Sequence, residues 1–328
     1  MCEIVHKPVL VEQTIELLGP AVGSGLMIDC TIGEGGHSEA FLKRFPDLRI
    51  TGIDADKNIL EIAKKRLKGF GDRINFYHGW AEDFLEAKRG TGEKPGIILM
   101  DLGVSLFHYE KGGRGFSFAK DEPLDMRIDT ELGFSAAQLL ASISEKELAD
   151  LLFFNAEERY SRRIARSIIE ARKTAAITSS AVLAEIVRQA VPPEARHRRV
   201  HAATKTYQAL RIAVNGELVK LQQKLEAAFD VLNSGGRLGV ITFHSLEDRI
   251  VKNFFRQKAP ASAKKAEGTY KQRSAVSDTP IYNSSGIKDT VCAANRLITK
   301  KPVGPAGFEI KENPASCSAK IRVIEKGL

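Results

Sequence analysis

Along the 328-residue chain, apolar positions follow two periods in turn. Short strand-like runs are followed by stretches with an apolar residue every third or fourth position. Gly25–Cys30 (GLMIDC) predicts a buried strand, Thr31–His37 a glycine-rich turn, and Ser38–Phe45 a helix. Arg49–Asp54 predicts a second strand. Lys57–Leu67 predicts an amphipathic helix with Ile59, Leu60, Ala63 and Leu67 on one face. Strands over Arg73–His78 and Gly96–Met100 follow, the latter ending at Asp101. Such strand–helix alternation belongs to a parallel sheet with crossover helices.

The pattern changes after Asp101. Phe107–Arg127 is rich in glycine, charge and aromatics, which predicts a long ordered loop. Ser135–Val191 predicts several helices, with starts at the capping residues Ser135, Ser144 and Thr178. Glu147 three residues after Ser144 completes a capping box. Pro192-Pro193 closes this stretch, and Ala203–Leu232 has the length of one or two helices. Alternation resumes with a strand over Arg237–Phe243 and a helix over Leu246–Gln257. Residues from about 258 to 294 are poor in large apolar groups and predict a mobile loop. A final strand pair is expected over Arg296–Lys300 and Ser318–Glu325. The fold class is therefore α/β: one discontinuous domain (1–106 and 206–328) with an all-helical domain inserted at 107–205.

Charge adds to this layout. The chain carries 49 Lys+Arg against 41 Asp+Glu, a net +8. Arg159–Arg211 holds twelve of the basic residues and three acids, so it is +9 and the rest of the chain is −1. A basic segment in a near-neutral protein suits a polyanion partner, although an Arg-rich solvated face has the same composition. No apolar run approaches the ~18–20 residues that span a bilayer. No signal-peptide pattern is expected at Met1–Leu10, which points to a cytoplasmic protein. Cys2, Cys30, Cys292 and Cys317 are scattered, which predicts reduced thiols and no metal site.

Candidate chemistry gathers at the strand ends. Asp29, Gly33, Gly35, Gly36 and His37 lie in the first turn, and Asp54 ends the next strand. Glycines there let backbone approach a ligand, and an acid at Asp54 can accept both hydroxyls of a ribose. A dinucleotide site wants G-x-G-x-x-G beneath a pyrophosphate, and this turn lacks it. S-adenosylmethionine has no phosphate. Its aminocarboxyl group needs an acid and N–H donors, which Asp29 and the glycines offer. A nicotinamide oxidoreductase and a non-catalytic RNA-binding assembly factor remain the rival readings.

Longer motifs narrow the choice. They are DCTIGEGGHS (Asp29–Ser38), TGIDAD (Thr51–Asp56), MDLGVS (Met100–Ser105), RGFSF (Arg114–Phe118) and PLDMRID (Pro123–Asp129). Further on come EERYSRRIAR (Glu157–Arg166), ATKTYQALRIAVNGEL (Ala203–Leu218), FHSLEDRIVK (Phe243–Lys252) and NPASCSAKIRV (Asn313–Val323). With these the chain closely resembles the RsmH (MraW) family of bacterial small-subunit rRNA cytosine-N4 methyltransferases, from about residue 6 to 325. The resemblance implies a class I, Rossmann-like methyltransferase fold with an inserted helical domain. It implies S-adenosylmethionine as cofactor and, as target, the exocyclic N4 of a cytidine in the decoding (P-site) region of 16S rRNA, within the small subunit. It also implies that Gly35, Gly36 and His37 line the cofactor, that Asp54 holds its ribose, and that Asp101 lies by its adenine or methyl end. Trp80, Ala81 and His108 stand where the family has an aromatic and a Gln in contact with the cofactor. Ala315 and Cys317 replace two family arginines, and Ala202 a proline.

For catalysis, Asp101 is the first choice to accept an N4 hydrogen, with cofactor binding as its alternative. His244, with Ser245 beside it, ends a neighbouring strand and could bond the base or take a proton; a purely structural histidine is the alternative. Arg114, Phe116 and Phe118 could hold a flipped base, or the two Phe rings could pack the joint between domains. Arg162, Arg163, Arg166, Arg198, Arg199 and Lys205 are expected to meet phosphates.

Overall fold

Seven strands form one sheet in the order β3-β2-β1-β4-β5-β7-β6. They are β1 (Leu26–Asp29), β2 (Arg49–Asp54), β3 (Ile74–His78), β4 (Ile97–Asp101), β5 (Arg237–Thr242), β6 (Arg296–Leu297) and β7 (Lys320–Glu325). The computed structural model describes residues 7–131, 133–196, 200–259 and 294–328. The expected loop at 258–294 lies, but for its ends, outside the described residues. Strands β1–β5 are parallel, and β7 runs antiparallel between β5 and β6. The chain winds out from β1 to β3, then returns to place β4 on the other side of β1. That reversal opens a crevice at the carboxyl ends of β1 and β4. β4 is fully buried over Ile97–Met100, as an unbroken apolar run covered on both faces must be.

Helix α1 (Val11–Leu18) precedes β1, and α2 (Gly36–Arg44), α3 (Lys57–Leu67) and α4 (Ala81–Lys88) connect the first four strands. Asp56 caps α3 by accepting the Asn58 N–H, and Ile62 joins the apolar face read from the sequence. The expected loop after β4 begins with one helical turn, α5 (Leu106–Glu110), because Ser105 caps it at the Phe107 N–H. Six helices follow: α6 (Ala136–Ser142), α7 (Glu145–Ala156), α8 (Ser161–Thr174), α9 (Ser180–Ala190), α10 (Pro193–Arg196) and α11 (Thr204–Asn215). Ser135 and Ser144 both form complete capping boxes. The third cap is Ser179, one residue beyond the expected Thr178.

Ala203–Leu232 folds as two helices, α11 and α12 (Glu217–Val231), split at Gly216, whose φ of 64° suits a residue without Cβ. Tyr207, Ala209, Leu210 and Val214 of α11 are buried with Leu148 and Leu152 of α7. The division expected at 205/206 therefore cuts into the first turn of α11; by packing, the helical unit runs on to Gly216. α12 packs instead with α4 and the sheet, and α13 (Ser245–Lys258) and α14 (Gly307–Glu312) complete the first unit. No helix among the described residues is long and apolar enough to cross a membrane.

Candidate active site

The turn after β1 and the ends of β2 and β4 wall a cavity at the crevice. Asp54 fixes the turn: Oδ2 accepts the Gly33 N–H at 3.0 Å and Oδ1 accepts the Asp56 N–H at 2.8 Å. Burial pushes the Asp54 carboxyl above its ordinary range. Gly33 and Gly36 line the cavity, whereas Gly35 does not. Gly35 begins α2 at φ 83°, and a Cβ there would sit 2.9 Å from Leu67 Cδ1, so its role is close packing on α3. Asp29 departs from expectation in the same way. It lies beneath the turn, outside the cavity wall, and its carboxylate accepts the Ser38 hydroxyl at 2.7 Å and the Thr31 N–H. Burial raises its pKa to about 6.

Asp101 and His37 face each other across the cavity floor. Asp101 Oδ2 lies 3.6 Å from His37 Nδ1, while Oδ1 is shielded from solvent and has no hydrogen-bond partner. Burial, then the charges of Asp29 and Glu247, push the Asp101 carboxyl well up. His37 Nε2 sits 2.8 Å from the Val9 carbonyl oxygen.

Trp80 and Ala81 form an apolar side of the cavity beside Ala55 and Leu102. Glu217, Lys220 and Lys224 of α12 also line the cavity, three residues that sequence reasoning did not single out. Lys220 Nζ lies 3.1 Å above the Trp80 ring centroid, and Lys220 and Lys224 flank buried Glu82 at 3.7 and 3.6 Å. Their i, i+4 spacing put them on one helix face, but nothing local said which face met the cavity.

His108 lines the cavity from α5. It is buried, with Nε2 3.2 Å from Asp56 Oδ2 and its ring 5.1 Å from that of Phe116. Arg114, expected to hold a flipped base, turns inward to the protein. It is buried, donates to the carbonyls of Arg127 and Ile128, and pairs with Asp56. Burial opposes ionisation of Asp56, but His108 and Arg114 outweigh it and hold its pKa at about 2.

A second cavity, an open groove between the two units, adjoins the first. Gly103, Val104 and Phe243 line both. Phe118 lines the groove half-buried, its ring stacked 4.5 Å from His201. Phe116 reaches the groove but is buried in the helical core, so packing is its main work. His244 lines the groove and not the cofactor cavity. It caps α13: Nδ1 accepts the Glu247 N–H, and Nε2 lies 3.1 Å from Glu247 Oε1. Burial works to raise Glu247, yet His244 and the Phe243 N–H hold it below its usual value. Ser245, the first residue of α13, is exposed and lines neither cavity, so the geometry gives it no catalytic contact.

The basic segment divides by use. Arg172 donates to the carbonyls of Leu140 and Ile143, Arg196 to those of Val191 and Gln189, and Arg211 pairs twice with Glu217. Arg162, Arg163 and Arg166 of α8 are exposed, Arg166 within 3.4 Å of Glu145. Lys205 is exposed and donates to the Glu157 carbonyl. Arg198 and Arg199 lie outside the described residues.

The chain is 49% identical over 322 residues to a Treponema denticola protein named ribosomal RNA small subunit methyltransferase H, covering 98% of this chain and 97% of that one. It is 41% identical over 325 residues to a protein of the same name from Thermotoga neapolitana, covering 98% and 95%. Among solved structures it is similar to an rRNA methylase from Streptococcus thermophilus, with a TM-score of 0.40, 9% identity and 99% of each chain covered. A family model described as the MraW methylase family matches residues 3–327, and with these relatives it shows that the chain belongs to that family.

Proposed function

We propose that the chain methylates the exocyclic N4 of a cytidine in the decoding region of 16S rRNA, using S-adenosylmethionine. The observation that carries this reading is the shared wall of Gly103, Val104 and Phe243, which joins a cofactor cavity to a groove between the units. The names of the relatives supply the RNA class.

The cavity suits the cofactor. Its acids (Glu34, Asp54, Asp101, Glu217 and Glu247) outnumber its lysines (Lys220 and Lys224), which favours a sulfonium and disfavours a pyrophosphate. Asp54 ends β2 where a ribose diol is held in such folds, and Trp80, Ala81 and Leu102 offer an apolar face for adenine. When bound, S-adenosylmethionine supplies an activated methyl whose carbon–sulfur pair stays with sulfur. The remaining work is positioning and water exclusion, to which the buried His108 and its neighbour in the lining, Ile128, contribute. An N4 amine is a poor nucleophile because its lone pair is delocalised into the ring. Asp101, at the floor of the cavity, accepts its hydrogen and frees that pair. The groove carries Phe118, Tyr207 and Phe243 for a base taken from its stack. The helical unit presents Arg162, Arg163, Arg166 and Lys205 to phosphates. A decoding-site cytidine is shaped by folded RNA, so the substrate we propose is the assembled small subunit, in the cytoplasm.

Mass spectrometry of nucleosides from small-subunit rRNA, with and without the protein, tests the reading. N4-methylcytidine that depends on the protein is the expected result; an unchanged nucleoside profile would overturn it.

A further inference from the structure

We propose that His37 and Asp101 act as one proton acceptor, with the proton released by the amine held between Asp101 Oδ2 and His37 Nδ1. This rests on the amine-methylation reading above. His37 thereby becomes a positioning residue for proton removal and not only part of the cofactor wall.

The tautomer carries the argument. His37 Nε2 is 2.8 Å from the Val9 carbonyl oxygen, which has no hydrogen to donate. Nε2 must therefore hold the ring proton, and in the neutral ring the lone pair lies on Nδ1. Nδ1 lies 3.6 Å from Asp101 Oδ2. A lone pair facing a carboxylate oxygen repels; one added proton turns the contact into a bond. Both side chains are largely shielded, at 7% and 14% exposure, so water does little to relieve that repulsion. Asp101 Oδ1 is shielded and has no hydrogen-bond partner, so the carboxylate gains more from a proton than a solvated one would. The charged neighbours acting on Asp101, Asp29 and Glu247, are both acids and push the same way. The alternative acceptor, His244, is occupied as the cap of α13 and stands outside this cavity.

The step balances. The amine nitrogen gains a bond to carbon and loses one N–H bond, whose electron pair stays on nitrogen. The proton passes to the pair, which goes from a net charge of −1 to 0, and leaves to solvent before the next turnover. The 3.6 Å separation is a contact that shortens as the proton arrives, as catalytic hydrogen bonds commonly do when a site fills.

Two measurements on the full chain test this. In the first, histidine 15N NMR is recorded from about pH 5 to 9 without cofactor or RNA. The expected result is a neutral His37 protonated on Nε2, with a titration midpoint that falls by about one pH unit in Asp101→Asn. Protonation on Nδ1, or an unmoved midpoint, would overturn the proposal. The second compares single-turnover methylation against pH for the parent and His37→Gln, which keeps a donor for Val9 and removes the titrating nitrogen. The expected loss is about 10²-fold in the chemical step with a displaced acidic limb, and cofactor affinity by calorimetry within about threefold. Weakened cofactor affinity with an unchanged limb would mean a structural role and refute the inference. Nucleoside mass spectrometry on the same samples separates the two readings. Absence of N4-methylcytidine with the parent protein sinks the amine reading and this one with it; its presence with an unmoved limb sinks this one alone. Should His37→Gln fail to fold, the NMR of Asp101→Asn decides.

Discussion

Arg114 and Asp56 tie the two units together beside the cofactor cavity. The guanidinium comes from the loop after β4, and the carboxylate it meets is the cap of α3 in the sheet unit. His108 joins the same carboxylate at 3.2 Å. The loop that roofs the cavity is thereby anchored to the turn that follows β2.

Replacing Arg114 with Ala leaves Asp56 buried without its partner and frees the carbonyls of Arg127 and Ile128. The expected cost is about 3–5 kcal/mol of stability, read by chemical denaturation, with weakened cofactor affinity by calorimetry. RNA affinity of the folded fraction should change little. Full stability with loss of RNA affinity alone would mean that Arg114 faces RNA after all.

Asp29 and Asp56 act on stability in opposite directions. Asp56 titrates near 2 when folded, below its unfolded value. Its contribution is present above about pH 4 and is lost as pH falls through about 2. Asp29 titrates near 6 when folded, so the native state holds the extra proton. Stability therefore declines as pH rises from about 4 to about 6 and stays lower above that, by up to ~3 kcal/mol. Asp29→Asn removes that loss: its one amide oxygen still accepts the Thr31 N–H, and its NH2 donates to the Ser38 hydroxyl oxygen where the carboxylate accepted from it. It should raise the melting temperature near pH 8 more than near pH 4; an equal shift at both would contradict the assignment.

Trp80 is the single tryptophan of the chain and stands in the cavity wall under Lys220. Cofactor binding should change its emission in a saturable way, with NAD producing no such change. Lys220→Met removes the ammonium from above the ring and should alter the emission of the free protein. A titration with S-adenosylmethionine that leaves the fluorescence flat would place the adenine elsewhere.

Reversing Arg162, Arg163 and Lys205 to Glu should weaken RNA binding steeply while cofactor affinity holds. Each lost phosphate contact lowers the slope of log affinity against log salt by about 0.7–0.9. Arg172→Ala behaves differently, because its guanidinium holds the carbonyls of Leu140 and Ile143. It should lower the melting temperature and leave the salt slope alone. Filter binding across a salt series and thermal unfolding distinguish the two classes.

Much of this protein was readable from its local patterns. Strand and helix periods, the caps at Ser135 and Ser144, and the turn carrying Gly33 and Gly36 depend on residues a few positions apart. The placement of Asp54 and Asp101 at strand ends followed from the same alternation. Gly216 carried a helix break in its own residue type, yet the length of the stretch alone allowed one helix or two.

What the tertiary structure decided is which partner each polar group meets. Arg114 and Asp56 are 58 residues apart, and Asp29 spends its carboxylate on Ser38 beneath the turn. Lys220 and Lys224 reach the cavity only because α12 packs on α4. His244 became a helix cap and Arg211 a buried ion partner, although a strand-end His and a basic Arg read the same in sequence whether free or bound. The physical reason is common to all. Periodicity fixes which face of an element is apolar, because burial acts on every residue alike. Charged and hydrogen-bonding groups are satisfied one partner at a time, and those partners arrive only when distant segments pack.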